Sequence, residues 1–263
     1  MWNDKRVSVV LMTYAERDSI REVIEGFFAT GVVDEVLVVD NNAEPGTREE
    51  VQRTQARLVH EPLQGYGHAT RRGLLEASGE LVVLAEPDGT FLAEDIVKLL
   101  VYSAECDVVF GTRTTRDLIW DGANMERFLR WGNWGVAKMI EALFNTNHLS
   151  DVGCTYRLLR SEIARSVAES MTVGGSHAGV EIMLLTILSG ARFVEVPVNY
   201  LPRVGTSSVT GRPIKALQVG LNMVALVLKL RSSAPKRRGR PPAFVHPERS
   251  RSNGRRRGEQ LPL

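Results

Sequence analysis

Apolar positions along the first 110 residues alternate between two periods. Residues 7–13 form a continuous apolar and β-branched run, which predicts a strand buried on both faces. Residues 19–28 carry Ile20, Val23, Ile24 and Phe27 at helical spacing. Residues 35–40 predict a second buried strand, 44–55 a polar helix and 57–60 a short strand. A helix follows over 67–77 with Gly79 as its C-cap, then a strand over 81–85, a helix over 92–103 and a strand over 107–110. Helices alternating with continuous apolar strands predict a parallel α/β sheet.

After Gly111 the pattern changes. Residues 124–143 predict a long helix carrying Trp131 and Trp134, a pair that fits a core or a membrane-facing surface better than a cofactor box. A short strand over 155–159, a helix over 179–188 and a strand over 192–198 come next. Residues 203–212 are rich in Gly, Ser and Thr and read as a loop, and 214–230 as a final amphipathic helix. From Ser232 onward Pro, Arg, Gly and Ser dominate, which predicts a disordered tail. The expected organisation is one unit over 1–230, with halves at about 1–113 and 114–230, and a basic tail over 231–263.

Composition narrows the class. The 263 residues are 43% hydrophobic and 24% charged, the values of an ordinary globular chain with a sizeable core. Two cysteines, Cys106 and Cys154, make no disulfide framework and suit a reducing compartment; Cys106, just before a strand, is expected to be buried. The net charge of +2 hides an asymmetry. Residues 231–263 hold ten Lys/Arg and two Asp/Glu, whereas 1–230 hold 23 basic and 29 acidic side chains. An acidic body with a basic appendage is not the pattern of a nucleic-acid-binding domain. Val7–Met12 is too short for a signal-peptide core. The charge-free stretch 216–228 falls short of the roughly 20 residues a membrane span needs.

In an open parallel sheet, ligands bind beyond the carboxyl ends of the strands. Those ends here read Thr13-Tyr14-Ala15-Glu16, Asp40-Asn41-Asn42, Glu86-Pro87-Asp88-Gly89-Thr90 and Gly111-Thr112-Arg113. Glu86 and Asp88 are two apart, so in an extended segment their carboxylates face one side. Two readings stand: a solvated Pro-Asp-Gly turn, or a pair around a hard divalent cation that shares its coordination with phosphate and water. Asp40 fits either a nucleoside contact or a cap for the next helix, and Arg113 either a phosphate clamp or a surface arginine. Asp151, Cys154 and Arg157 fit ordinary packing and capping at least as well as a site. His68, His148 and His177 show no metal-ligand spacing. No G-x-G-x-x-G opens the first helix, and neither a G-K-[ST] phosphate loop nor a G-x-S-x-G elbow occurs.

Seven segments in order give these residues a context: LMTYAERDSI, VVDNNAEPGT, QGYGHATRRGL, EPDGTF, GTR, SDVGCTYRLLRSE and EVPVNYLPRVGTSSVTG. Together, over roughly 7–212, the sequence resembles the family 2 glycosyltransferases, and within them the branch of polyprenol-phosphate (dolichol-phosphate mannose synthase-like) enzymes. The resemblance implies a GT-A fold, an α/β architecture with a mostly parallel central sheet flanked by helices. It implies that Thr13, Tyr14, Glu16, Asp40, Asn41 and Gly67 line the nucleotide. Glu86 and Asp88 would hold Mg²⁺ or Mn²⁺ with Thr90 nearby. Arg113, Asp151, Arg157 and Glu181 would lie at the reacting groups, and Arg130, Arg203 and Ser207 at donor or acceptor phosphate. Three positions depart from the pattern: Asn41 replaces the second Asp of an Asp-Asp pair, Glu86 replaces the first metal Asp, and Ser208 replaces a lysine, leaving Arg212 as its substitute.

The implied chemistry is a single displacement with inversion, from a nucleotide-diphosphate sugar to a polyprenyl phosphate at the cytoplasmic membrane face. A lipid phosphate is already anionic, so positioning and charge neutralisation outweigh general-base catalysis. A hydroxyl acceptor would need a base, for which Asp151 is the first candidate. The apolar helix near 216–230 and the basic tail fit peripheral attachment to an anionic inner leaflet, or equally a core helix and a solubilising tail. Two alternatives differ in acceptor or in class: a same-fold transferase using a soluble or glycan acceptor, and a catalytically silent scaffold.

Overall fold

The computed structural model describes residues 1–123, 127–205 and 213–233. Ser207, Ser208, Arg212, the first residues of the helix expected from 124 and the tail beyond Ser233 lie outside the described residues. The strands are β1 (Val7–Thr13), β2 (Glu35–Asp40), β3 (Arg57–His60), β4 (Leu81–Ala85), β5 (Val108–Thr112), β6 (Arg157–Arg160) and β7 (Phe193–Pro197). The helices are α1 (Arg17–Ala29), α2 (Thr47–Gln52), α3 (Tyr66–Glu76), α4 (Ile96–Tyr102), α5 (Arg127–Phe144), α6 (Ser161–Ser170), α7 (Ala178–Ser189) and α8 (Pro213–Ser233). A short 3₁₀ turn, Ala93–Asp95, leads into α4.

The seven strands form one sheet in the order β3-β2-β1-β4-β6-β5-β7. Every pairing is parallel except those of β6, which runs antiparallel to both β4 and β5. The sheet is thus mostly parallel, as expected, with β6 as its one antiparallel strand. The short 157–160 strand returns from the long excursion through α5 and fills the gap between β4 and β5. The α6 helix that follows it is not apparent in the sequence reading, because its ten residues carry few large apolar side chains.

The period-2 alternation of the strands divides their side chains between two cores. Val10, Met12, Leu37, Val39 and Leu84 enter the core shared with α3 and α5 to α8. Val9, Leu11, Val36, Val38 and Val83 enter the core shared with α1 and α4, against Ile20, Ile24, Phe27 and Leu99. Each fully buried Val, Leu, Ile or Phe contributes about 1.5–3 kcal/mol, so both cores hold the strand ends in place. Close backbone approach sets α3 on the sheet: a Cβ added at Gly73 would lie 2.2 Å from Val10 Cγ1. Gly79 is not a helix cap. The helix ends at Glu76, and the Gly79 N–H instead donates to Ser8 Oγ (2.8 Å). Cys106 is half-buried rather than buried, and both cysteines are free. Among the described residues no helix is long and apolar enough to cross a membrane.

Candidate active site

The carboxyl ends of β1, β2, β4 and β5 share one edge of the sheet. Thr13 and Asp40 are register partners, as are Leu11 and Ala85, so Glu86 begins where the β1–β4 ladder stops. Asp88 is fully buried. Its Oδ1 accepts from the Thr90 N–H (3.0 Å) and hydroxyl (2.6 Å), which fixes the carboxylate plane. Its Oδ2 accepts no hydrogen bond, although it is buried. That oxygen lies 3.1 Å from Arg203 Nη1. The Glu86 carboxyl is within hydrogen-bonding reach of Asp88. Burial, then the Asp88 charge, pushes Glu86 up to about 8, against the pull of Arg203 and Arg113.

Arg203 spans this edge. Its Nη2 donates to Glu16 Oε1 (3.0 Å) while Nη1 faces Asp88. The Val204 N–H donates to the Asp88 carbonyl (2.9 Å) and the Leu201 N–H to that of Thr90 (2.9 Å), stitching the 201–204 segment onto the acidic turn. Glu16 Oε2 accepts from the Tyr14 N–H (2.8 Å), the Ala15 N–H (2.9 Å) and the Thr13 hydroxyl (3.3 Å). That leaves the Tyr14 ring exposed above the end of β1.

Arg113 enters from the end of β5 and forms a bidentate pair with Asp151, Nε to Oδ2 (2.8 Å) and Nη2 to Oδ1 (3.1 Å). Its guanidinium lies 5.0 Å from the centre of the Tyr200 ring. Asp151 is fully buried and also accepts from the Arg113 and Gly153 N–H groups. Burial alone would raise it, but Arg113 outweighs that and holds it below the usual carboxylate range. Both oxygens are engaged, so Asp151 orients Arg113 and is a poor proton acceptor. The candidate base of the sequence reading is thus recast as an orienting group. Glu195 supports the arrangement by accepting from the Ser150 and Asp151 N–H groups (3.0 Å each).

Asp40 sits at the same edge, with Oδ1 accepting from the Ala43 N–H (2.8 Å) and Oδ2 paired to Arg48. Arg48 is itself exposed, so a ligand can displace it without a buried rearrangement. Arg130 lies half-buried on α5.

Four expected site residues turn inward and build framework. Asn41 donates to the Glu61 (2.9 Å) and Leu63 (2.8 Å) carbonyls and accepts from the Gly65 N–H (2.8 Å) and Gln64 Nε2 (3.1 Å). Its full hydrogen-bonding capacity is spent on the 61–65 loop, and an aspartate there would lose both donors. This accounts for asparagine at that position. Gly67 meets the 173–174 backbone: its N–H donates to the Gly174 carbonyl (2.9 Å), and a Cβ would fall 2.0 Å from Val173 O. Glu181 holds the same loop, accepting from the Thr172 N–H (3.0 Å), the Thr172 hydroxyl (2.7 Å) and the Val173 N–H (2.9 Å). Arg157 is fully buried without a carboxylate partner. Its guanidinium donates to the carbonyls of Cys154 (2.7 Å), Val152 (3.0 Å) and Gly179. Burial lowers its pKa.

Tyr200, Glu195 and Tyr66 are the residues that the sequence reading left without a role. Burial, and then the Glu86 charge, raises the Tyr66 phenol. Both Tyr200 and Glu195 lie within the E-V-P-x-N-Y run, which is the signal that points to them.

The acidic turn fits a hard divalent cation. Two carboxylates converge, one buried oxygen lacks a hydrogen bond, and cationic side chains already crowd the spot. Among the described residues no cluster of three or more His, Cys, Asp or Glu side chains forms a metal site. Two protein carboxylates plus phosphate and water is the set such an ion takes.

A mixed seven-stranded sheet with this acidic edge is that of a GT-A nucleotide-sugar transferase. A solved structure of glucosyl-3-phosphoglycerate synthase from Mycobacterium tuberculosis, in complex with Mn²⁺, UDP and glucosyl-3-phosphoglycerate, matches with a TM-score of 0.67 at 17% identity. That match covers 89% of this chain and 82% of that one. The chain belongs to glycosyl transferase family 2, whose model matches residues 8–167, and it is a glycosyltransferase. It is similar to the dolichyl-phosphate hexose transferase of Haloferax volcanii, 27% identical over 205 residues that cover 77% of this chain and 86% of the relative. It is also similar to the undecaprenyl-phosphate mannosyltransferase of Micrococcus luteus, 24% identical over 220 residues, 78% of this chain and 88% of the relative. An uncharacterised glycosyltransferase of Mycobacterium tuberculosis is 30% identical over 205 residues, 77% of this chain and 88% of the relative.

Proposed function

We propose that this chain transfers a hexosyl group from a nucleoside-diphosphate sugar to a polyprenyl phosphate, with inversion at the anomeric carbon. The observation that carries the reading is the Glu86–Asp88 turn, whose buried Asp88 Oδ2 lacks a hydrogen bond and faces Arg203. The relatives named for dolichyl-phosphate and undecaprenyl-phosphate transfer support the lipid acceptor. The state of Asp151 supports it independently. With its one candidate base locked onto Arg113, the edge suits an acceptor that arrives already ionised.

In this reading Tyr14, Glu16 and Asp40 receive the nucleoside, with Arg48 yielding Asp40 to it. Glu86 and Asp88 hold Mg²⁺ or Mn²⁺, which when bound would neutralise charge on the departing diphosphate. Arg203 binds the donor phosphates, to which Ser207 would add a hydroxyl, while Arg113 and Arg130 receive the acceptor phosphate. An acceptor oxygen forms the new bond to the anomeric carbon, the bond to the diphosphate oxygen breaks, and the nucleoside diphosphate leaves with the electron pair. Asp151 keeps the Arg113 guanidinium aimed, and Arg157 and Glu181 keep the loops behind it rigid. The nucleotide-binding half is residues 1–113 and the acceptor half 114–230. The enzyme works peripherally at the cytoplasmic face of the cell membrane, attached through α8 and the basic tail.

The test incubates labelled UDP- and GDP-hexoses with the protein and Mn²⁺ or Mg²⁺, with and without polyprenyl phosphate. The expected result is label that moves into the organic phase only with lipid, and that chelation abolishes. Label appearing on a water-soluble product while lipid is present would overturn the acceptor assignment.

A further inference from the structure

The α5 and α8 helices pack side by side on one core. Val136, Met139 and Leu143 of α5 and Leu226 and Val227 of α8 point into it, and the Arg231 guanidinium lies 6.0 Å from the Phe144 ring. Their outer faces are apolar as well. Trp131 and Trp134 are 63% and 42% exposed, with ring centres 5.6 Å apart in an edge-to-face pair. Lys138 Nζ sits 5.9 Å above the Trp134 ring. On α8, Leu217, Leu221 and Leu228 are 55%, 61% and 52% exposed, and their spacing places them on one stripe. Two indoles and three leucines held outward on adjacent helices mark a surface made for a partner.

Charge selects the partner. Among the described side chains, the two helices carry Arg130, Lys138, Lys229 and Arg231 against a single acid, Glu141. Residues 1–230 as a whole are net acidic, with 23 basic and 29 acidic side chains, so the basic character is local to this face. It continues along the chain, since 231–263 add ten Lys/Arg and two Glu. Indole rings with an apolar body and a polar edge, leucines between them and lysine or arginine around them suit the interface of an anionic bilayer. The same helix borders the catalytic edge. Asn133, between the two tryptophans in sequence, turns inward so that a Cβ at Gly153 would fall 2.5 Å from its amide and 2.9 Å from Arg113 Nη2.

We infer that the outer face of α5 and α8, centred on Trp131 and Trp134, is a membrane-docking surface that seats the protein on an anionic leaflet with Arg113 close to the headgroup plane. This deepens the lipid-acceptor reading and rests on it for its purpose, but its test does not use transfer. The full chain is sedimented with phosphatidylcholine vesicles, with and without about 30% phosphatidylglycerol, the anionic lipid supplying the surface potential. The wild-type protein is expected to co-sediment with the anionic vesicles and to shift its tryptophan emission to the blue. W131S/W134S, and separately L217S/L221S, are expected to partition at least about tenfold more weakly, with unchanged melting temperatures. Wild-type protein that stays in the supernatant overturns the inference. So do variants that sediment like wild type, which would leave the basic tail as the sole attachment, and a tryptophan-dependent dimer that ignores vesicles. Transfer to detergent-dispersed polyprenyl phosphate separates the two readings: W131S/W134S is expected to retain it, whereas failure of the acceptor assignment abolishes it in wild type and variant alike.

Discussion

The catalytic edge and the loop bed behind it use the same residue types in opposite ways. At the edge, satisfaction is incomplete: Asp88 Oδ2 and Arg203 Nε are buried without hydrogen bonds, and Glu86 and Asp88 crowd each other. In the bed, Arg157 and Glu181 are equally buried yet bonded to backbone on every side. An unmet buried polar atom costs free energy, so it persists where a ligand meets it. In the proposed reading, the contrast separates residues that would meet substrate from residues that hold the walls.

The largest expected effect tests the bed. Arg157→Leu strands three buried carbonyls, each costing about 1–3 kcal/mol, so a loss of roughly 3 kcal/mol or more is expected in denaturant unfolding. Folded protein that retains donor affinity would confirm a framework role. At the edge the signature reverses. Asp88→Ala is expected to lower the transfer rate at least about 100-fold, the scale for one essential electrostatic group, while the melting temperature holds or rises. A variant that transfers normally would remove Asp88 from the catalytic reading, whereas a wild-type protein that transfers nothing would point to the catalytically silent scaffold.

A subtler test is Asn41→Asp, which removes two donors and is expected to cost about 1–3 kcal/mol, with faster amide exchange in residues 61–65. The last test is a pH profile. The folded-state pKa of Glu86 lies near 8, above its usual 4.5, so the folded form holds the proton more tightly than the unfolded one. Its contribution is therefore present below about pH 4.5 and lost as pH rises toward 8. Asp151 has the opposite sign: its lowered pKa makes its contribution present above the usual 3.8 and lost on acidification. Melts in chelator should fall between pH 5 and pH 8.5, and Glu86→Gln should flatten that limb alone. An unchanged slope in Glu86→Gln would show that the two carboxyls do not interact.

Much of this was legible in the chain. Continuous β-branched runs are buried strands whatever surrounds them, and the positions of Glu86, Asp88 and Arg113 after such runs put them on the ligand edge before any coordinates. The roles of Asn41, Arg157 and Glu181 were not legible. Asn41 and Arg157 lie in segments that mark them as special and Glu181 in none, but a polar side chain in such a place can face either the ligand or the neighbouring loop, and spacing does not say which.

The sequence by itself determined the strands, their alternation between two cores and the presence of an acidic turn, because those depend on local periodicity. Tertiary structure decided the antiparallel insertion of β6 and the pairing of Arg113 with Asp151, 38 residues on. It also decided the reach of Arg203 to Glu16, 187 residues away, and the outward face of Trp131 and Trp134. These depend on which distant groups share a dry volume, where an ion pair or an unmet oxygen acquires its energetic weight.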